Sequence, residues 1–335
     1  MKAGKLPHDV LNKYIFPFLG FKRPEVLVHS KFGEDCSIID FGEYVAVLST
    51  DPITGAGKDI GRLAVNVSCN DIAANGAEPI GLLVTIMFPT DTTEEKVKDV
   101  MEQIHAAASD LGVEVLGGHT EITPAVSKTV ISSTALGRAL KSEFVTSSGA
   151  KPGDSVIMTK TAGLEGSAIL ATDFEELLKK RIGYAKVKRA QDFIKNISVV
   201  PEGKIAAKHG ATAMHDVTEG GILGAVYELA RASEVGIKIF SEKIPIAEET
   251  IQICKIFDID PLKLISSGCM IITTPNGEKL ISILKDAGIH ATIIGEVTAG
   301  DKIVLVKNRC EEPVPPPDRD ELFSALEKIE NLKIK

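Results

Sequence analysis

The chain has 335 residues, 44% of them apolar and 25% charged, which suits two ordinary domains with sizeable cores. Lys and Arg number 38 against 46 Asp and Glu, a net charge of −8 that argues against nucleic-acid or membrane phosphate as a partner. Aromatic residues are 5% and Trp is absent, so stacking platforms for bases do not dominate. No apolar run approaches the roughly 20 residues of a membrane span. The charged, proline-containing first 21 residues do not read as a signal peptide. Five dispersed cysteines with no Cys-x-x-Cys pair read as buried, reduced thiols, so the expectation is a cytoplasmic protein.

Strand and helix patterns alternate along the chain. Residues 44–48 form a β-rich run ending at the turn signal Thr50-Asp51-Pro52. Residues 59–76 read as a helix with Asp59 as N-cap, Gly76 as stop, and Ile60, Leu63, Ala64 and Val67 as an apolar face. A strand over 79–88 and an amphipathic helix over 94–111, closed by Gly112, follow. Residues 113–116 predict a short strand running into a Gly117-Gly118 turn, and 130–137 a further strand. The turn-rich stretch 141–154 marks a boundary, dividing the chain into residues 1–145 and 151–312. In the second half we expect strands at 155–159, 212–215, 237–240, 291–297 and 302–306. Helices are expected at 163–170, 221–232 and 278–286, with a solvated charged face over 175–189. A proline-rich linker, 313–317, precedes a terminal helix from about Asp318, so residues 313–335 stand apart. Such alternation is an α/β or α+β pattern, and spacing alone does not choose the topology.

Several polar residues interrupt these patterns. Asp71 lies four residues after Val67, on the apolar face of its helix, where a carboxylate is costly unless paired or metal-bound. Asp35, Asp51 and Glu121 stand where strands meet loops, and dispersed hard oxygens of this kind suit Mg²⁺. Taken alone, Asp35 and Asp51 read first as cap or turn residues. Gly117-Gly118-His119-Thr120-Glu121 and His215-Asp216-Val217-Thr218-Glu219-Gly220-Gly221 share one shape, strand and polar residues beside paired glycines. Glycine amides or a helix N-terminus can receive a phosphate, though a tight turn or an N-cap explains each motif taken alone. P-loop and nucleophile-elbow patterns are absent.

Taken together, Cys69-Asn70-Asp71-Ile72-Ala73-Ala74-Asn75-Gly76-Ala77-Glu78-Pro79 resembles the metal-binding helix of the AIR synthase (aminoimidazole ribonucleotide synthetase) superfamily. That superfamily includes selenophosphate synthetase, thiamine-monophosphate kinase and the hydrogenase maturation factor HypE. Gly33-Glu34-Asp35, Ser49-Thr50-Asp51 and the two glycine-pair motifs follow in the matching order, and Asp59-Ile60-Gly61 and Lys151-Pro152-Gly153-Asp154 resemble HypE-type members. The resemblance implies a two-domain α/β fold whose N-terminal domains pair through a shared β-barrel in a homodimer. It implies Mg²⁺ and ATP phosphates on Asp35, Asp51, Asp71 and Glu121. It places Gly117, Gly118 and Thr120 by the nucleotide, and Asp216, Gly220 and Gly221 toward the reacting phosphate, with His119 beside that centre. The implied chemistry is γ-phosphate transfer to a carbonyl or amide-type acceptor, a small molecule or a protein.

His119 stands where family members carry an acidic residue, and Glu219 where they carry Arg or a small residue. No N-terminal glycine-rich loop holds a Cys, which disfavours selenophosphate synthesis, and the short N-terminal segment lacks the glycine-rich substrate loop of AIR synthase, which disfavours purine synthesis. HypE-type proteins deliver a C-terminal cysteine to the ATP site. Here the last thiol is Cys310, and Leu322, Leu326, Ile329 and Leu332 recur at helical spacing, so we expect a docked helix and not a mobile arm. The first expectation is a HypE-like Mg-ATP enzyme; the alternative is a non-catalytic nucleotide-binding or partner-binding subunit of the same fold.

Overall fold

In the computed structural model, which describes residues 4–54, 58–317 and 319–333, the alternation resolves into two sheets, one in each half of the chain. The first contains β1 (Val26–Val28), β2 (Ser37–Phe41), β3 (Tyr44–Ile53), β4 (Glu78–Phe88), β5 (Glu114–Ile122) and β6 (Val130–Leu140), in the order β1-β2-β3-β6-β4-β5. All its pairs are antiparallel except β4 with β5. Helix α1 (His8–Tyr14) precedes this sheet, and α2 (Ile60–Ala74) and α3 (Glu94–Leu111) cover one of its faces. Thr93 caps α3 by accepting from the Lys96 amide, and Gly112 ends it in the left-handed conformation, as its sequence predicts.

The second sheet has the order β13-β12-β9-β11-β7-β10-β8. These strands are β7 (Ser155–Thr159), β8 (Ala213–Asp216), β9 (Gly236–Phe240), β10 (Met270–Thr274), β11 (Ala291–Thr298), β12 (Ile303–Lys307) and β13 (Cys310–Pro313). Its helices are α4 (Leu164–Asp173), α5 (Glu175–Ile182), α6 (Tyr184–Asp192), α7 (Val200–Lys208), α8 (Gly221–Ala232), α9 (Glu248–Phe257), α10 (Gly277–Asp286) and α11 (Glu321–Lys333). The charged stretch 175–189 is two helices broken at Gly183, with Leu178 and Val187 turned into the core. The onset expected near Asp318 falls on a position outside the described residues, and α11 is helical from Glu321. The side chains of Ile329 and Leu332 also lie outside that description.

Helix α2 departs most from its sequence reading. It is buried all round, not on one face, because it lies between the first sheet and the second half. Asn70 clamps it there: its side chain donates to the Ile197 carbonyl at 2.7 Å and accepts from the Val199 amide at 2.8 Å. A Cβ on Gly203 would fall 2.0 Å from the Ala73 carbonyl, so α7 approaches α2 closely only through glycine. Asp59 occupies the N-cap position without making a side-chain cap bond. The packing carries Asp71 to the junction of the two halves.

The near-continuous apolar runs of β3, β4 and β6 suggest burial on both faces. Within one chain only the helix-covered face is buried. Phe41, Tyr44 and Leu83 stand on the other face, 70%, 41% and 51% exposed. Four of the five cysteines are buried as expected; Cys310 is exposed. Among the described residues no helix is long and apolar enough to cross a membrane.

Candidate active site

The fold draws four carboxylates together from distant positions: Asp35, Asp51 and Asp71 line one cleft, and Asp216 lies buried beside them. Gly33 brings the first: at φ 79° with an imagined Cβ 2.9 Å from the Glu228 carbonyl, only glycine lets this loop rest on α8 and carry Asp35 to His215. Asp51 comes from β3, on the face toward the helices, and Asp71 from α2 behind it. Ser49 Oγ donates to Asp71 Oδ2 at 2.5 Å. Asp216 ends β8, which fills the sheet edge beside β10.

Ligand atoms of Asp35, His215 and Asp216 lie within 4.8 Å of one another. Both oxygens of Asp216 and Oδ2 of Asp35 are buried without a hydrogen-bond partner among the described residues. Burial first, then the neighbouring carboxylates, pushes Asp35 up to about 8 and Asp216 up to about 6, with His215 opposing both shifts. Burial, Asp216 and Asp51 raise Asp71 as well. Unpartnered buried oxygens that repel one another are a donor set waiting for a cation, and hard oxygen donors fit Mg²⁺.

His215 is a prop for this cluster and not a ligand. Its Nδ1 donates to the Asp216 carbonyl at 2.6 Å, and its Nε2 lies 3.2 Å from Glu228 on α8. Burial works against its charge, yet Asp35, Glu228 and Asp216 raise its pKa to about 10. Glu228, buried but faced by Lys5 and His215, falls to about 2. Glu165, in the first turn of α4, also lines the cleft, and burial pushes it up to about 7.

Within one chain the remaining predicted residues lie away from this cleft. Gly117 and Gly118 do not form a turn: β5 runs straight through them as an exposed edge strand, at φ 148° and 143°. Gly118 is there for β4, since a Cβ would sit 1.9 Å from the Val84 carbonyl, whereas a Cβ on Gly117 would make only an ordinary contact with Leu83 at 3.9 Å. Asp51, Ser133, Val84 and Gly118 are level across β3, β6, β4 and β5, so Gly118 lies three strand spacings, about 14 Å, from Asp51. His119 and Glu121 pair with Thr85 and Met87, on the uncovered face opposite Asp51 and Asp71. Within one chain Glu121 therefore cannot share a metal with Asp71. His119 Nε2 and Glu121 Oε2 lie 3.3 Å apart at the surface, and Thr120 is exposed between them.

Gly220 and Gly221 also differ from expectation. The α8 N-terminus does carry an anion, but it is the chain's own: Gly220 N donates to Asp320 Oδ2 at 2.8 Å. Gly221 N bonds Thr218 O, and Leu223 N bonds Leu262 O. A Cβ on Gly221 would lie 2.6 Å from the Leu262 carbonyl, so these glycines serve packing. The segment carrying Asp320 is docked, with Leu322 and Ala325 buried. Cys310 begins β13, at the sheet edge opposite β8, so six spacings of about 4.8 Å put it about 29 Å from the strand of Asp216.

Comparison with known proteins places this architecture. The chain belongs to the AIR synthase related protein family: residues 33–139 match its N-terminal domain and 151–308 its C-terminal domain. It is 30% identical over 318 residues, 91% of each chain, to a candidate hydrogenase expression/formation protein of Methanocaldococcus jannaschii. It is 28% identical to a thiamine-monophosphate kinase of Pyrococcus horikoshii, over 84% of this chain and 88% of that one. A structure of the hydrogenase maturation protein HypE in complex with ATP superposes with a TM-score of 0.68, covering 96% and 97% of the two chains at 20% identity, a likeness of fold.

Proposed function

We propose that the protein is a HypE-like, Mg-ATP-dependent enzyme that transfers the γ-phosphate to a carbonyl or amide-type oxygen, in the chemistry of hydrogenase maturation. The observation that carries this reading is the convergence of Asp35, Asp51, Asp71 and Asp216, with the Asp216 oxygens buried and unpartnered, at the junction of the two halves. These four carboxylates would hold magnesium, which supplies neutralisation of the charge on phosphoryl oxygens. Around them His215 and Glu228 fix the Asp216 backbone and Asp35 by hydrogen bond and charge. The adjoining cleft of about 460 Å³, lined by Asp35, Asp51 and Asp71, is large enough for the phosphate end of a nucleotide.

A homodimer belongs to the same reading. A second copy laid on the uncovered face would bury Phe41, Tyr44 and Leu83 and give His119 and Glu121 a partner surface. The occupied N-terminus of α8 favours the second reading, a nucleotide-binding subunit without turnover, since Asp320 stands where a phosphate would otherwise be received. Phosphate release from Mg-ATP with carbamoylated or amide acceptors separates the two. Calorimetric titration of Asp71→Asn tests the site itself: weaker Mg-ATP binding with an intact fold is expected, and unchanged affinity sinks the assignment.

A further inference from the structure

Two cavities meet beside Asp35. The first is the carboxylate-lined cleft. The second, about 760 Å³, is walled by the N-terminal segment and α1, by the loop before Asp35, by α8 and by the segment leading into α11. Its walls are largely apolar, with Leu11, Phe16, Phe32, Tyr227 and Phe323 among them. Lys5, Ser30, Glu34, Asp35 and Glu219 line both cavities, so a molecule in the second reaches the contents of the first at this point.

Lys5 is the one cationic side chain among the described residues lining the first cavity, where Glu34, Asp35, Asp51, Asp71, Glu165 and Glu219 supply negative charge. Its ammonium is ringed by carboxylates, and Glu228, Glu219, Asp35 and Asp51 all favour its charge. Nζ lies 3.4 Å from Thr218 Oγ1 and 3.7 Å from Glu219 Oε2, and the side chain is 53% exposed. The Glu219 pair at that length and exposure adds little by itself, so what Lys5 brings to this junction is a cation among carboxylates at the meeting of both cavities. Nothing in the local sequence of residues 4–8 marks it.

We propose that Lys5 grips the terminal phosphoryl group of the nucleotide as it passes to an apolar-bodied small-molecule acceptor seated in the second cavity. This rests on the Mg-ATP reading above. The bond between the γ-phosphorus and the bridging oxygen breaks with its electron pair left on ADP. The acceptor oxygen supplies the pair for the new P–O bond, and an amide acceptor loses a proton from nitrogen to water. Lys5 donates to the phosphoryl oxygens throughout, and Glu219 holds it in reach through their ion pair.

The test compares ADP with a non-hydrolysable ATP analogue, each with Mg²⁺, on full-length wild type, Lys5→Ala and Lys5→Arg. Lys5→Ala is expected to bind the ATP analogue about tenfold more weakly and ADP within about twofold of wild type, because ADP lacks the group that Lys5 holds. Phosphate release should fall about 100-fold and return in part with Lys5→Arg. Equal weakening of both nucleotides, or of neither, overturns the Lys5 assignment while leaving the Mg-ATP reading intact. A wild type that binds neither nucleotide overturns that reading and the assignment with it.

Discussion

The two glycine-pair motifs look alike as sequence and end as opposites. Gly117-Gly118-His119-Thr120-Glu121 is an exposed edge strand whose His119 and Glu121 side chains face away from the carboxylate cleft. His215-Asp216-Val217-Thr218-Glu219-Gly220-Gly221 ends a strand whose four residues are all buried and turns into a helix packed on every side. Local composition does not separate them. What does is the place of the strand: β5 closes an open sheet edge, while β8 is covered by α2 and α8. The same kinds of polar residue become surface in one setting and a desolvated cluster in the other.

The sharpest way to break this contrast is at Asp216. Replacing it with Asn removes a charge from the centre of the cluster while keeping its shape. ATP-dependent phosphate release should fall by about three orders of magnitude, as for loss of a preorganised electrostatic group, with the fold unchanged by circular dichroism. A fall of less than tenfold would make Asp216 a structural residue.

The glycines of the edge motif give the next effect. Gly118→Ala drives a Cβ into the Val84 carbonyl at a φ that L-residues rarely adopt, and should destabilise the protein by about 4 kcal/mol. Gly117→Ala meets nothing nearer than 3.9 Å and should cost about 1 to 2 kcal/mol, from backbone strain alone. Urea midpoints measure both. Equal costs would mean that β4 and β5 separate more easily than their spacing suggests.

Asp320 tests whether the α8 N-terminus is a real anion seat. Burial pushes its carboxyl up to about 6, above the ordinary 3.8, against the Leu322, Gly220 and Ile265 amides that favour the charge; Glu219 adds to the rise. Between those two values the folded chain holds a proton that the unfolded chain has released. Stability therefore falls as pH rises from about 4 to about 6, by at most about 3 kcal/mol, and this contribution is flat above. Asp320→Asn should remove that part of the slope, seen as the difference between wild-type and variant melting temperatures across pH 4 to 7.

Much of this was legible before any coordinates. Period and caps gave α3 and α8 their limits, and a carboxylate on an apolar helical face marked Asp71. The same reasoning finds Glu228, a carboxylate in α8, which is apolar nearly all round, and Glu165 in an equally apolar helix. Other features were not available locally. Nothing near Lys5 says that it crosses to Glu219, because that contact depends on how the chain end packs. Nor does the sequence of β5 say that it is an edge. Register and strand order decide which face His119 and Glu121 take, and these are set by pairings with distant residues.

The smallest expected effect belongs to Glu121. Its side chain is 45% exposed, its contact with His119 is a 3.3 Å surface pair, and it faces away from the four aspartates. Surface pairs of this kind contribute between nothing and about 1 kcal/mol. Glu121→Gln should therefore shift the unfolding free energy by less than about 0.5 kcal/mol in dilute, monomeric protein. A shift of 2 kcal/mol or more there would mean that β5 is not the exposed edge its pairing indicates. The measurement gains force at high protein concentration. Any extra cost of Glu121→Gln that appears only as the protein associates belongs to the uncovered face, because among the described residues that carboxylate pairs only with His119. Sedimentation run beside the unfolding curves ties the added cost to association, and an added cost without association would remove Glu121 from the proposed dimer surface.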